Sequence, residues 1–197
     1  IQDPGEGDKL IECTGGSDPI TGQPYTMPII YNATMIGRGP GAQKKMMEYS
    51  LNGAGLIANS VLVLQDKGCF IEYVESTQDS YRQFEMGKLQ VKNNVFFNVG
   101  NQTPDGIFSV YAAEGFDDSQ QNQVFRAYFI EAENMIVDPG ISRDNDLYNL
   151  IPDDNVFDML AGYPDQWYDN VEYKGAFYTY MWLAGWTLLY DAGYVMD

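Results

Sequence analysis

The chain has 197 residues, with 28 acidic and 11 basic side chains that give a formal net charge of −17 at pH 7, and it contains no histidine. This charge argues against nucleic-acid binders and against proteins of anionic membrane surfaces, because both need a basic surface to meet phosphate. The lack of histidine excludes Ser-His-Asp triads, Cys-His pairs and histidine-ligated metals, so any catalysis must use Asp, Glu, Lys, Arg or Tyr.

The length suits one domain or a large part of one, and 45% hydrophobic residues are enough for a substantial core. No apolar run approaches the roughly 20 residues of a membrane-spanning helix. The sequence starts at Ile1 with neither an initiator Met nor a signal peptide, so we expect a processed product or a fragment of a longer chain. The excess of acids favours a hydrated surface of the kind found on secreted proteins.

The two cysteines, Cys13 and Cys69, lack the spacing of a metal site such as C-x-x-C. Two related segments, 8–12 and 66–72, have 60 residues between their Ile-Glu pairs, which suggests two turns of a repeating structure. Two turns would separate the cysteines by roughly 9.6 Å of strand stacking, whereas a disulfide needs Cα atoms within about 7 Å. We therefore expect two free, buried thiols.

Three segments share one strand-like pattern: an aliphatic residue, any residue, Asn, a small residue or Asn, a β-branched residue and two apolar residues. They are 30–36, 57–63 and 91–97, so the pattern returns after 27 and then 34 residues. β-Branched and aromatic residues favour strands. Helical periodicity is weak up to residue 150. Clusters of Gly, Pro and polar residues predict turns or loops at 37–43, 100–106 and 138–146.

The spacing of these segments is close to one turn of a β-solenoid with loops of variable length. We therefore predict an all-β fold, a right-handed parallel β-helix over residues 1–150, whose stacked strands bury a column of Ile, Val, Leu and Phe. A β-sandwich is the alternative, but it does not explain why Asn recurs in register.

The repeated asparagines, Asn32, Asn59 and Asn93, are open to two interpretations. Stacked side-chain amides can hydrogen-bond along the column and satisfy the backbone where it bends, which makes them a buried structural ladder. An exposed row of ligand-binding amides is the functional alternative. Because buried amides in register explain the recurrence directly, the ladder is our prediction.

The composition changes after about residue 150. Eleven of the 28 aromatic residues lie between Tyr163 and Tyr194, including Trp167, Trp182 and Trp186. Segment 179–189 could form a short helix that ends near Gly193. We predict that residues 151–197 are an aromatic cap that covers an open end of the solenoid, with a sugar-binding platform as the alternative.

The segments 171–177 and 182–187 resemble the terminal signature of a family of surface or secreted right-handed β-helix proteins from Bacteroidota. Further matches come in the same order along the chain, at 28–37, 58–60, 91–97 and 137–140. The resemblance covers nearly the whole chain and implies the C-terminal portion of a secreted or outer-membrane-associated protein, with earlier turns before Ile1. One departure is 178–181, which is apolar here and polar in the family. Most members are hypothetical lipoproteins without a demonstrated activity.

Catalytic candidates are numerous but unspecific. Hydrolysis by paired carboxylates needs two acids about 5 to 9.5 Å apart, one with a raised pKa. Three pairs lie in predicted loops, where a calcium site is a weaker possibility and a solvated loop is the leading interpretation: Asp117 with Asp118, Asp144 with Asp146, and Asp153 with Asp154. We predict no catalytic, cofactor-binding or metal-binding residue.

A lysine base beside a calcium-binding acid is a further catalytic arrangement, and Lys67 with Glu72 could supply it. Lys9 and Glu12 repeat that pair, which indicates an ion pair or a ladder position instead. The glycine-containing loops around 39–41 and 53–55 do not fit a phosphate-binding fingerprint, because no helical pattern follows them.

These observations favour a non-enzymatic scaffold or binding subunit of a bacterial surface assembly, located outside the cell or at the outer membrane. The expected partners are proteins of that assembly, with polysaccharide as a further candidate. Two alternatives remain open: a fragment of a polysaccharide lyase or glycosidase, and a carbohydrate-binding adhesin module that uses exposed Tyr and Trp.

Overall fold

The computed structural model describes residues 9–16, 18, 20, 21, 23–39, 44–74, 79–141, 149–183, 191 and 193. Within these ranges, short parallel strands dominate up to residue 136, and three helices interrupt them. In chain order the elements are β1 (Lys9–Thr14), β2 (Ile29–Tyr31), β3 (Thr34–Gly39), β4 (Lys45–Ser50), β5 (Gly55–Ala58), β6 (Val61–Gln65), β7 (Lys67–Tyr73), α1 (Ser80–Glu85), β8 (Leu89–Lys92), β9 (Val95–Val99), α2 (Pro104–Ile107), β10 (Phe108–Ala112), α3 (Ser119–Glu131), β11 (Met135–Ile136) and a 3₁₀-helix (Asp154–Val156).

The strands form three separate parallel sheets, with the orders β1-β4-β7-β10, β11-β9-β6-β3 and β2-β5-β8. From β2 onward, three consecutive strands lie in three different sheets, and the same rotation repeats through β10. The prediction of an all-β right-handed parallel β-helix with an aromatic C-terminal cap is wrong as a fold class. Three sheets of three or four strands, with helices between them, form an α/β-like arrangement instead.

Helix α3 is one of the elements that make the arrangement α/β-like. Phe125 and Phe129 are buried on one face of α3, and the Phe125 ring stacks on Phe108 of β10 with 4.5 Å between ring centroids. Asn122 binds the same strand through its amide, accepting from the Val110 N–H and donating to the Val110 carbonyl, both at 2.9 Å. A helix thus lies beside β10, and the amide of Asn122 satisfies the N–H and the carbonyl of Val110 at this edge of the sheet.

The predicted alignment of the three repeated segments is confirmed. Ile30 pairs with Ile57, which in turn pairs with Val91, across β2, β5 and β8. Within the β11-β9-β6-β3 sheet, Met35 pairs with Leu62, and Leu62 pairs with Phe96. These inward side chains join one buried core that also contains Phe108, Phe125 and Phe129.

The second predicted alignment is wrong. Lys9 pairs with Lys45 of β4, and Lys45 pairs with Lys67 of β7, so the offset is 58 residues and the two Ile-Glu pairs do not match. The sequence pattern does not predict strand β4, because Lys45–Ser50 buries four consecutive side chains and shows no alternation of apolar and polar residues.

The cysteines are free and buried, as predicted. Cys13 lies on the edge strand β1 and Cys69 on β7, two strands away, and their registers differ by two residues. Burial raises the pKa of the Cys13 thiol to about 11 and raises that of Cys69 as well. Both thiols are therefore protonated at neutral pH.

Candidate functional site

The repeated asparagines lie just after β2, β5 and β8, where the chain turns from one sheet to the next. Asn32, Asn59 and Asn93 all have left-handed backbones, with φ of +51°, +50° and +55°. Asn is among the few residues that adopt this region readily. Glu133, with φ of +55°, lies just before β11 and occupies the same place in a fourth repeat that the sequence pattern did not reveal, because Glu replaces Asn.

The side chains of these asparagines bind the backbone of the C-terminal segment. The Nδ2 atoms of Asn93, Asn59 and Asn32 donate to the carbonyls of Met159, Ala161 and Tyr173, all within 2.8 to 2.9 Å. Asn59 and Asn93 are buried, so the prediction of burial is confirmed for both and the exposed ligand row is wrong for them. The predicted ladder of amides bonded to one another is wrong at these positions, because both amides bind the C-terminal segment.

The hydrogen-bonded ladder itself lies one residue further along. The Ser60 N–H donates to Asn94 Oδ1 at 2.9 Å, and the Asn94 N–H donates to Asn134 Oδ1 at 3.1 Å. The Asn94 amide also donates to the Ile57 carbonyl at 3.0 Å. Because these bonds join successive repeats, Ser60, Asn94 and Asn134 stack along the column. The preceding residues Asn59 and Asn93 face the C-terminal segment instead.

The described part of the C-terminal segment lies along this row of turns. Besides the asparagine bonds, the Gly175 N–H donates to the Asn59 carbonyl at 2.8 Å, and the Ala176 N–H donates to Thr34 Oγ1 at 2.9 Å. Residues 179–183 are not helical, and residues 184–189 of the predicted helix fall outside the described part of the chain. The domain boundary at residue 150 stays a prediction.

Several large aromatic side chains on this segment are exposed to solvent. Trp167 is 86% exposed and Tyr180 is 70% exposed. One of these exposed rings, Trp182, stacks on the buried Phe177 with centroids 5.4 Å apart. We call the exposed set the aromatic surface; its members are Tyr163, Trp167, Tyr178, Tyr180 and Trp182.

A cluster of charges covers the outer side of the β1-β4-β7-β10 sheet. Glu48 is buried, and its carboxylate forms ion pairs with Lys45 Nζ at 2.7 Å and with Lys9 Nζ at 3.2 Å. The Tyr111 hydroxyl also donates a hydrogen bond to it at 2.9 Å. Lys9 also contacts Glu12 at 2.8 Å, which confirms the predicted ion pair. Lys67 aligns with Lys45, and Glu72 accepts the Leu51 N–H at 2.7 Å.

The electrostatics of this charged cluster favour fixed charges over proton transfer. Burial alone would raise the pKa of Glu48, but hydrogen bonds from Lys45, Tyr111 and Lys9 outweigh it and lower that pKa. Burial and the neighbouring Glu48 carboxylate raise the pKa of Tyr111 far above its usual value. A general acid or base works best with a pKa near the working pH, and both groups have moved away from neutrality.

The predicted acidic pairs have local structural contacts. Asp117 accepts from Ser119, and Asp118 accepts the Ala112 N–H at 3.1 Å, just before α3. Asp153 precedes the 3₁₀-helix, and Asp144 with Asp146 lie outside the described residues. Within the described ranges, no group of three or more Asp, Glu or Cys side chains is placed to hold a metal ion.

Comparison with family models, with curated proteins and with solved structures found no match to this chain. The resemblance to the Bacteroidota family therefore stays a prediction. Among the described residues, no helix has both the length and the apolar character needed to cross a membrane.

Proposed function

We propose that this chain is a non-enzymatic binding subunit of an extracellular or outer-membrane surface assembly, and that the aromatic surface makes its contacts. The observation that carries the proposal is the concentration of exposed Trp and Tyr on one segment, with Trp167 86% exposed. Trp and Tyr dominate the energetics of binding surfaces, so several exposed Trp and Tyr side chains on one segment favour a binding role.

The attachment of the segment supports a binding role. Its backbone is fixed at Met159, Ala161 and Tyr173 by the three asparagine side chains. A surface held in place before contact loses less conformational entropy when a partner binds, and this increases affinity. The asparagine row therefore serves the aromatic surface as a rigid support.

The charged cluster supports a non-catalytic role. Its most buried acid, Glu48, is held in the ionised form by two lysines and a tyrosine. Tyr111, whose pKa is raised, stays protonated and donates to that acid. Such an arrangement stabilises the outer side of a sheet and supplies no group poised to move a proton at neutral pH.

The experiment that tests the proposal combines a glycan array with product analysis by mass spectrometry, and adds cross-linking to candidate surface proteins. We expect binding without turnover, with Trp167→Ala and Tyr180→Ala each weakening it by about tenfold. The matched control is Tyr25→Ala, because Tyr25 is an exposed aromatic residue outside the aromatic surface. Release of shorter oligosaccharides at neutral pH would contradict the proposal and favour the lyase or glycosidase alternative.

A further inference from the structure

A pocket of about 380 Å³ opens between α1, α3 and the strand β8. This volume lies in the range of small-molecule sites, which is roughly 300 to 1,000 Å³. The pocket is distinct from the aromatic surface, and the sequence pattern does not indicate it because its residues come from three separate elements and the turns that follow the helices and the strand. They are Phe84, Gly87, Leu89, Gln90, Lys92, Asn93, Tyr128, Glu131, Ala132 and Glu133.

The inner part of the pocket is apolar. Phe84 and Tyr128 are half-buried, and their rings meet edge to face with centroids 4.9 Å apart. Leu89 is buried beside them. Burial raises the pKa of Tyr128 to about 12, so its hydroxyl keeps its proton at neutral pH. Aromatic walls with a few polar groups are typical of ligand sites.

The outer part of the pocket is polar and carries both signs of charge. Lys92 is half-exposed, and Glu131 and Glu133 are exposed. Gly87, which has φ of +70°, lines the pocket and has open space where a Cβ atom would lie. One ammonium group and two carboxylates can exchange hydrogen bonds with several hydroxyl groups at once.

Two of the polar residues are held in place by a hydrogen bond between them. Asn93 and Glu133 both have φ of +55°, a left-handed backbone as in the equivalent turns at Asn32 and Asn59, and Asn93 Nδ2 donates to Glu133 Oε2 and to the Met159 carbonyl, each at 2.8 Å. Here the same asparagine orients a pocket carboxylate and anchors the C-terminal segment.

We propose that this pocket binds a neutral saccharide unit, an inference that rests on the proposed binding function and names its ligand class. The apolar face of a pyranose ring fits against Phe84 and Tyr128, and its hydroxyls meet Lys92 and Glu131. A uronate is disfavoured because the pocket holds two carboxylates against one lysine, on a chain of net charge −17.

The test is isothermal titration calorimetry with cellohexaose, mannohexaose and xylohexaose as neutral probes and hexagalacturonate as the anionic probe. We expect a neutral probe to bind and hexagalacturonate to bind at least about tenfold more weakly. Lys92→Ala and Glu131→Ala should each weaken binding of the neutral probe by about tenfold, because each removes a charged hydrogen-bonding partner.

The matched controls are Lys88→Ala, on the same chain segment as Lys92, and Gln123→Ala, which is exposed on α3 away from the pocket. Both should bind like the unmodified chain, and all variants should keep its urea midpoint. The inference is overturned if no neutral probe binds, if hexagalacturonate binds more tightly, or if only Trp167→Ala weakens binding. That last result leaves the proposed function intact, whereas turnover of a bound probe removes the proposed function and leaves the pocket as its substrate site.

Discussion

Asn59 and Ala161, 102 residues apart in the chain, exchange two hydrogen bonds: Asn59 Nδ2 donates to the Ala161 carbonyl at 2.9 Å, and the Ala161 N–H donates to Asn59 Oδ1 at 2.8 Å. Asn59 is buried and its φ is +50°. One side chain thus allows the turn between β5 and β6 and also fixes the C-terminal segment against it.

Replacement of this residue should therefore be costly. Asn59→Ala removes both hydrogen bonds, leaves the buried N–H of Ala161 without its acceptor, and puts Ala in a left-handed backbone. The Ala161 carbonyl keeps the Tyr31 hydroxyl as a donor at 3.4 Å. We expect the free energy of unfolding in urea to fall by about 3 kcal/mol. The control is Asn98→Ala, because Asn98 has φ of +51° but is exposed. It should lose only about 1 kcal/mol, and equal losses would show that the contact with Ala161 contributes nothing.

Lys174 is a fully buried lysine whose Nζ donates to Met135 Sδ at 3.5 Å. Burial lowers its pKa to about 8, although Asp158 and Glu133 act in the opposite direction. Lys174→Met keeps the volume and removes the buried charge. We expect this variant to gain about 2 kcal/mol of stability in urea at pH 7. Lys88→Met is the half-exposed control and should change stability by less than about 0.5 kcal/mol.

The same lysine predicts a pH dependence with a definite sign. Its pKa is about 8 in the folded chain against an ordinary value of 10.5, so between these values the unfolded chain binds more protons. The contribution of Lys174 to the free energy of unfolding should therefore rise as pH increases from about 8 to 10.5. Below pH 8 the buried ammonium group destabilises the folded chain by its full amount. The advantage of Lys174→Met over the unmodified chain should therefore shrink from pH 7 to pH 9.5. An advantage that stays constant would mean that Lys174 does not titrate in this window.

Glu48 should contribute to stability through its two lysines and Tyr111. Glu48→Gln removes the charge and leaves Lys9 and Lys45 without their shared partner, so we expect a loss of about 2 kcal/mol at pH 7. Because the folded-state pKa is lowered, the contribution is complete above the ordinary pKa of 4.5 and is lost as pH falls below it. Glu12→Gln, at a side chain that is 50% exposed, is the control and should cost under about 1 kcal/mol.

The contact between Asn122 and Val110 should protect the edge of β10. Asn122→Ala removes both hydrogen bonds from the strand, so the Val110 amide should exchange its hydrogen about tenfold faster in hydrogen–deuterium exchange. Gln123→Ala on the exposed side of α3 should leave that exchange rate unchanged. Equal protection in both variants would mean that the packing of α3 suffices without the amide of Asn122.

The part of the fold that the sequence predicted depends on one feature, the recurrence of Asn between apolar residues. The left-handed backbone at Asn32, Asn59 and Asn93 favours Asn, and the strands after it must place apolar side chains inward. Glu133 shows where this reasoning stops. Glu133 has the same left-handed backbone, and its carboxylate accepts a hydrogen bond from the amide of Asn93. The equivalence is visible only once Met135 is paired with Val95.

The helices and the pocket were less accessible to sequence reasoning. Helix α3 buries Asn122 along with Phe125 and Phe129, so its inner face does not read as a continuous apolar stripe. The exposure of Trp167 depends on how the C-terminal segment packs on the sheets. The aromatic composition of the segment alone predicts a cap with covered rings. Tertiary contacts decided each of these outcomes, as they often override local preference.

The two buried thiols can report local opening of the β1-β4-β7-β10 sheet. Cys13 lies on the edge strand β1, Cys69 lies on the inner strand β7, and both are buried and protonated at neutral pH. A thiol reagent can react with either one only after the surrounding structure opens. The ratio of the two alkylation rates, followed by mass spectrometry, therefore measures how much more often the edge of the sheet frays than its interior unfolds, without any introduced label.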